Sequence, residues 1–189
     1  MIREMSIYHK SLAEQELVRV GFWELIKLRL PWLVIGLGGA MVASLIASRF
    51  ELTLKETITV AFFIPIMTNM SDAIGTQTEI IFIRALSNLK FGIFKYILRE
   101  VLEGVVMGGI LAVLSYIFAR VLSGSSQIAL MVSIALILSV IMATILACMT
   151  PLFLKFLGKD PAIGSGPFTT SLQDTVSLLI YLVVATVML

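Results

Sequence analysis

Two sets of oxygen-bearing side chains stand inside strongly apolar stretches of this chain. Near the C-terminus, Thr170, Asp174, Ser177 and Tyr181 are spaced four, three and four residues apart. On a helix of 3.6 residues per turn they share one face. Leu172, Val176, Leu179 and Val183 form the opposite face. Further upstream, Thr68, Asp72, Thr76 and Glu79 repeat the pattern at spacings of four, four and three, flanked by Pro65 and Gly75. A charged carboxylate at the centre of a membrane helix costs roughly 2.5–3.5 kcal/mol on the insertion scale, so such residues mark ion or substrate paths by default. Carboxylates, threonine hydroxyls and carbonyls are hard oxygen donors, suited to Mg²⁺, Ca²⁺ or Mn²⁺. The chemistry these positions predict is the passage of a divalent cation, with Asp174, Asp72, Thr170, Thr76 and Glu79 as the candidate metal-contacting residues.

Arg84 is the one basic residue near these acids in sequence, and a Glu79–Arg84 pair is the plain structural alternative. Asp72 and Asp174 have no basic neighbour in sequence. Glu100 and Glu103 fall near the inner end of a later apolar stretch, where basic residues of the inner side are the expected partners. No Cys/His cluster exists for a zinc-type site. There is also no Walker loop, nucleophile–base set or redox-cofactor motif, and an enzyme is not expected. A divalent cation entering a cell at about −100 mV gains roughly 4.6 kcal/mol, which suffices for passive uptake.

The elements that must position these groups are membrane helices. Of 189 residues, 59% are hydrophobic and 14% charged, with a mean hydropathy of +1.03. That composition indicates an all-α integral membrane protein in a lipid bilayer. A net charge of +2 gives no reason to expect a nucleic-acid partner. Cys148 is the only cysteine and lies in an apolar run, and His9, the only histidine, lies in the polar N-terminal segment.

Five apolar stretches are each long enough, or nearly so, to cross the hydrocarbon core. They are residues 31–48, 58–83, 91–118, 128–153 and 168–189. Residues 1–29 carry a capping-box pattern at Ser11–Glu14 and read as a cytosolic amphipathic helix on the membrane surface, leaving 30–189 as a five-helix transport domain. With the N-terminus inside, eleven basic residues fall on the inner side and three, Arg49, Lys55 and Arg120, on the outer. The positive-inside rule therefore places the N-terminus in the cytoplasm and the C-terminus outside the cell membrane. Gly36, Ala40, Ser44 and Ser48 form a small-residue stripe on the first helix, and Gly104 and Gly108 a GxxxG on the third. Both read as helix-packing surfaces.

Four segments resemble the membrane domain of the MgtE magnesium channels. They are Leu30-Pro31-Trp32-Leu33; Phe62-Phe63-Ile64-Pro65 with Gly75-Thr76-Gln77-Thr78 and Arg84-Ala85-Leu86; Arg99-Glu100 with the glycines that follow; and Gly158 to Ala162 with Ser165 to Thr170 and Asp174. The likeness covers about residues 28–189. It implies a homodimer of five-helix subunits, one pore on the two-fold axis, and Mg²⁺ as the transported ion, with Mn²⁺ or other divalent cations as further candidates. It also implies that Asp174 is the aspartate that holds hydrated Mg²⁺ in the pore. Related carriers suggest a Na⁺- or H⁺-coupled exchanger as an alternative, and a non-conducting scaffold of the same fold is the alternative of another class. Ser71-Asp72-Ala73 stands where the family usually reads Gly-Gly-Asn, so Asp72 adds a charge. Full-length members carry cytosolic Mg²⁺-sensing domains, whereas 29 residues precede the first helix here. Gating is accordingly expected to be absent, intrinsic, or supplied by a separate regulatory chain.

Overall fold

The computed structural model describes residues 21–86, 92–158 and 161–189. Its long helices are α1 (Phe22–Arg49), α3 (Ile64–Leu86), α4 (Ile93–Ser123), α5 (Ser126–Phe156) and α6 (Pro161–Met188). A short helix, α2 (Glu51–Glu56), and a 3₁₀ turn, Ile58–Phe63, join α1 to α3. Five spans are long and apolar enough to cross a membrane, as the sequence predicts. Among the described residues there is no strand.

Two boundaries differ from the sequence reading. The Ser11–Glu14 capping box lies outside the described residues. Residues 22–29, however, join the first spanning helix without a break, and Pro31 sits inside it. Pro31 removes one backbone donor near the start of a long helix, and the remaining ladder holds the two parts together. The stretch 161–167, expected as a linker, is already helical. Proline is favoured at the first helical position, where its missing N–H has no partner to lose, and Pro161 occupies it.

Turn chemistry sets the ends of α4 and α5. Gly124 takes φ +69° after α4 and its N–H bonds the Arg120 carbonyl. Ser125 then caps α5, its hydroxyl accepting from the Ile128 N–H. This one tight turn forces α4 and α5 to run antiparallel and in contact.

Helix α5 is the centre of the subunit. It packs against α3, α4 and α6, and α3 and α6 touch each other. Met131, Val132, Ala135, Leu136 and Val140 of α5 meet Phe63, Met67, Tyr181 and Leu182 in the main core. Small residues bring α4 close: a Cβ on Gly104 would lie 2.7 Å from Thr144 Cγ2, and one on Gly108 3.3 Å from Val140. The GxxxG reading therefore holds, with α5 as the partner.

Helix α1 packs mainly on α6. Its contact face differs from the expected stripe. Ala40, Ser44 and Ser48 are exposed, and the two serine hydroxyls bond carbonyls of their own helix. The inward residues are Gly36, Gly39, Ala43 and Ala47. The four-residue repeat lags a 3.6-residue turn, so only its first member, Gly36, remains on the contact face. Ser171 Oγ donates to the Gly36 carbonyl at 3.0 Å and Thr175 Oγ1 to the Gly39 carbonyl at 3.3 Å.

Candidate cation site

The site is built where α3 and α6 cross. The two helices run in opposite directions, so each step toward the C-terminus of α3 matches a step toward the N-terminus of α6. Gly75 sets the crossing. A Cβ there would sit 2.2 Å from Gln173 Nε2, so the α6 amide rests directly on the α3 backbone. Gln173 Nε2 also donates to the Ala143 carbonyl of α5 at 3.1 Å. One side chain thus ties three helices together.

Around this crossing lie the expected residues. Asp72, Thr76, Thr170 and Asp174 are all half-buried. Asp72 is close enough to both Asp174 and Glu79 for their charges to interact. Among the described residues, no salt bridge involves Asp72 or Asp174. Among the described residues, two acids on adjoining helices are thus half-buried without an ion pair to a basic side chain.

Glu79 is placed differently from the other four. It is only 4% exposed, inside the subunit. Thr169 Oγ1 donates to its Oε1 at 3.1 Å, and Ser165 hydrogen-bonds the same carboxylate. Arg84, the partner considered from sequence, is exposed on the last turn of α3. The hydrogen bonds to Glu79 join the C-terminal half of α3 to the first turns of α6.

The polar face expected on α6 divides along its length. Thr170 and Asp174 are half-open, whereas Ser177 and Tyr181 are buried. Tyr181 donates to the Val60 carbonyl at 2.6 Å, in the 3₁₀ turn before Pro65. Proline lacks an N–H, and the tight turn with its tyrosine partner accommodates the disturbed ladder. Leu179 and Val183 remain exposed, as an apolar outer face requires.

Glu100 is also buried, in the N-terminal part of α4, with Tyr96 hydrogen-bonded to it. The exposed ion pair on that helix is Arg99–Glu103, at 2.8 Å.

Sequence reasoning missed Gln173, Ser165 and Thr169. The signal for Gln173 is an amide inside an otherwise apolar helix, which demands partners in a low-dielectric interior. Among the described residues, no three acidic, histidine or cysteine side chains form a group that could hold a metal ion.

Comparison with known proteins decides the family. The model of the MgtE divalent cation transporter family matches residues 64–184. The chain belongs to the MgtE family. Those residues run from α3 through most of α6 and include the whole α3–α6 crossing. The magnesium transporter MgtE of Bacillus subtilis strain 168 is 36% identical over 161 residues, 84% of this chain and 36% of the relative. The MgtE of Enterococcus faecalis is 32% identical over 162 residues, 83% of this chain and 35% of the relative. That of Thermus thermophilus is 33% identical over 165 residues, 85% of this chain and 36% of the relative. This chain therefore spans about a third of the length of these relatives. The family consists of transporters and not enzymes, in agreement with the absence of catalytic motifs.

Proposed function

We propose that the protein carries divalent cations, Mg²⁺ foremost, across the cell membrane through a pore on the two-fold axis of a homodimer. The observation that carries this reading is the pair of half-buried acids, Asp72 and Asp174, on adjoining faces of α3 and α6. Among the described residues, neither forms an ion pair with a basic side chain. A second copy placed against that face supplies another pair, and four carboxylates then surround one water-filled path. The names of the relatives point to magnesium.

Asp174 and Asp72 hold the ion in this reading, with Thr170 and Thr76 as neutral oxygens beside them. Among its described residues one subunit offers no compact chelate, which suits an ion held through its waters. Mg²⁺ dehydrates reluctantly and usually keeps several of them. Glu79 contributes negative charge from behind, while its hydrogen bonds keep α3 and α6 in register. The excess of basic residues on the loops expected inside supports an N-terminus in the cytoplasm and a C-terminus outside. Residues 30–189 form the transport domain in this reading.

The test is uptake of Mg²⁺ and Mn²⁺ into proteoliposomes holding the purified full chain. Saturable uptake that rises with an inside-negative potential is the expected result. Liposomes with protein that match empty ones would leave the fold without this function.

A further inference from the structure

Asn69 and Gln77 are exposed carboxamides on α3, well inside the Ile58–Leu86 span. Among the described residues neither amide has a hydrogen-bond partner. With Ala73 they form an exposed row at four-residue spacing. Asp72 and Thr76 are half-buried at the edge of this row, each one residue before a member of it. Asn69, Asp72 and Thr76, spaced three and four apart, share a helix face. Thr68, which the sequence suggested for that face, is already engaged: its hydroxyl donates to the Ile64 carbonyl at 3.3 Å. The polar surface of α3 is therefore turned toward Asn69 and away from the core.

Lipid offers an exposed amide no hydrogen-bond partner, and that loss is costly. Water offers both donors and acceptors. Asn69 also borders an open groove of about 260 Å³ between α3 and α4, where Ser115 is the other polar residue. At about 30 Å³ per water, the groove has room for several. We propose that Asn69 lines the divalent path as a neutral oxygen donor, one turn of α3 before Asp72. This rests on the transport reading and adds a residue to it. The carboxamide oxygen accepts from the waters of an arriving dication, about 4.5 Å along the helix axis from Asp72. A neutral acceptor holds such an ion weakly, and conduction requires sites that the ion can leave. In the orientation expected from the loop charges, Asn69 stands on the outer side of the acids.

Two measurements on the full chain in liposomes test it. In a Cys148→Ala background, Asn69→Cys should react with a charged, water-soluble methanethiosulfonate reagent, and Mg²⁺ should slow the reaction. Val113→Cys, on an exposed apolar part of α4, should stay unreactive, because a thiol in apolar surroundings does not ionise. An Asn69→Cys thiol as inert as Val113→Cys puts the row in lipid or in a dry contact between copies, and overturns the proposal. Labelling that Mg²⁺ leaves unchanged overturns it too. In uptake assays, Asn69→Leu should raise the half-saturating Mg²⁺ concentration about fivefold, the usual worth of one net hydrogen bond. Asn69→Asp should lower it, because a charge now stands where the waters are held. A residue that only packs does not give opposite shifts, so an unshifted leucine variant or a raised value in the aspartate variant overturns the assignment. Uptake by the parent with an inert thiol overturns this proposal alone. A reactive, Mg²⁺-protected thiol without any uptake overturns the transport reading and leaves Asn69 beside a bound ion.

Discussion

At the scale of single residues, the decisive question is what each buried carboxylate is paired with. Asp174 is half-open, lies near another acid and, among the described residues, takes part in no salt bridge. Asp174→Asn keeps its shape and should fold, and it removes a charge that is costly to desolvate. Divalent uptake should fall more than tenfold. One charge about 5 Å from a dication is worth roughly 6.6 kcal/mol at an effective dielectric of 20, before desolvation and screening are subtracted. A quarter of that already exceeds a factor of ten in occupancy. Uptake at the parent rate would make this carboxyl structural. Asp72→Asn should instead change preference among Mg²⁺, Mn²⁺ and Ca²⁺, read from competition assays, because Asp72 lies beside the Asp174 position. Both acids were legible in the sequence as expensive charges in apolar helices. The position of Glu79 was not. Its spacing puts it on the same helical face as Asp72, but the start of α6 comes down over that part of the face and encloses it with Ser165 and Thr169. Helical periodicity gives an angle and does not say which neighbour waits there.

At the scale of elements, two contacts fix how α3 and α6 cross. One is Gly75 against Gln173, the other Tyr181 against the Val60 carbonyl. Gly75→Ala must push the Gln173 amide away from its bond to Ala143. The loss should be about 1–3 kcal/mol of stability, the usual range for overpacking, seen as a lower melting temperature. Tyr181→Phe leaves the ring in the core but orphans a buried carbonyl, and should destabilise by about 1–3 kcal/mol. If Tyr181→Phe melts like the parent, the 3₁₀ turn satisfies Val60 without help. The five spans were readable because about twenty apolar residues have few other fates in a chain of this composition. The contact face of α1 was not. Small residues occur at 36, 39, 40, 43, 44, 47 and 48, so the sequence offers two adjacent stripes. The hydroxyls of Ser171 and Thr175 on α6 select the one whose carbonyls they reach.

At the scale of the whole molecule, the proposed pore calls for a second subunit. Helix α5 fills the centre of the bundle largely with apolar side chains. Any path along Asp72 and Asp174 must pass over their half-open face, and lipid there would leave both charges stranded. A second copy related by a two-fold axis is the closure most often used by soluble homo-oligomers, and the same patch on each partner suffices for it. The single cysteine makes this testable. Cys148 is buried, and Cys148→Ala removes the background thiol with a small loss of packing. Thr170→Cys then places one thiol per chain beside Asp174, one turn toward the inner end of α6. On an axis lined by α6, mild oxidation in membranes should join two chains through this position. Leu179→Cys, on the exposed apolar face, should stay monomeric on the same gel. Cross-linking at 179 and none at 170 would turn the dimer around and take the acids away from the axis. Equal cross-linking at both would mean random collision in the bilayer and no dimer. Adding Mg²⁺ should slow the Thr170→Cys reaction if a hydrated ion stands between the two α6 helices, and should leave Leu179→Cys unchanged.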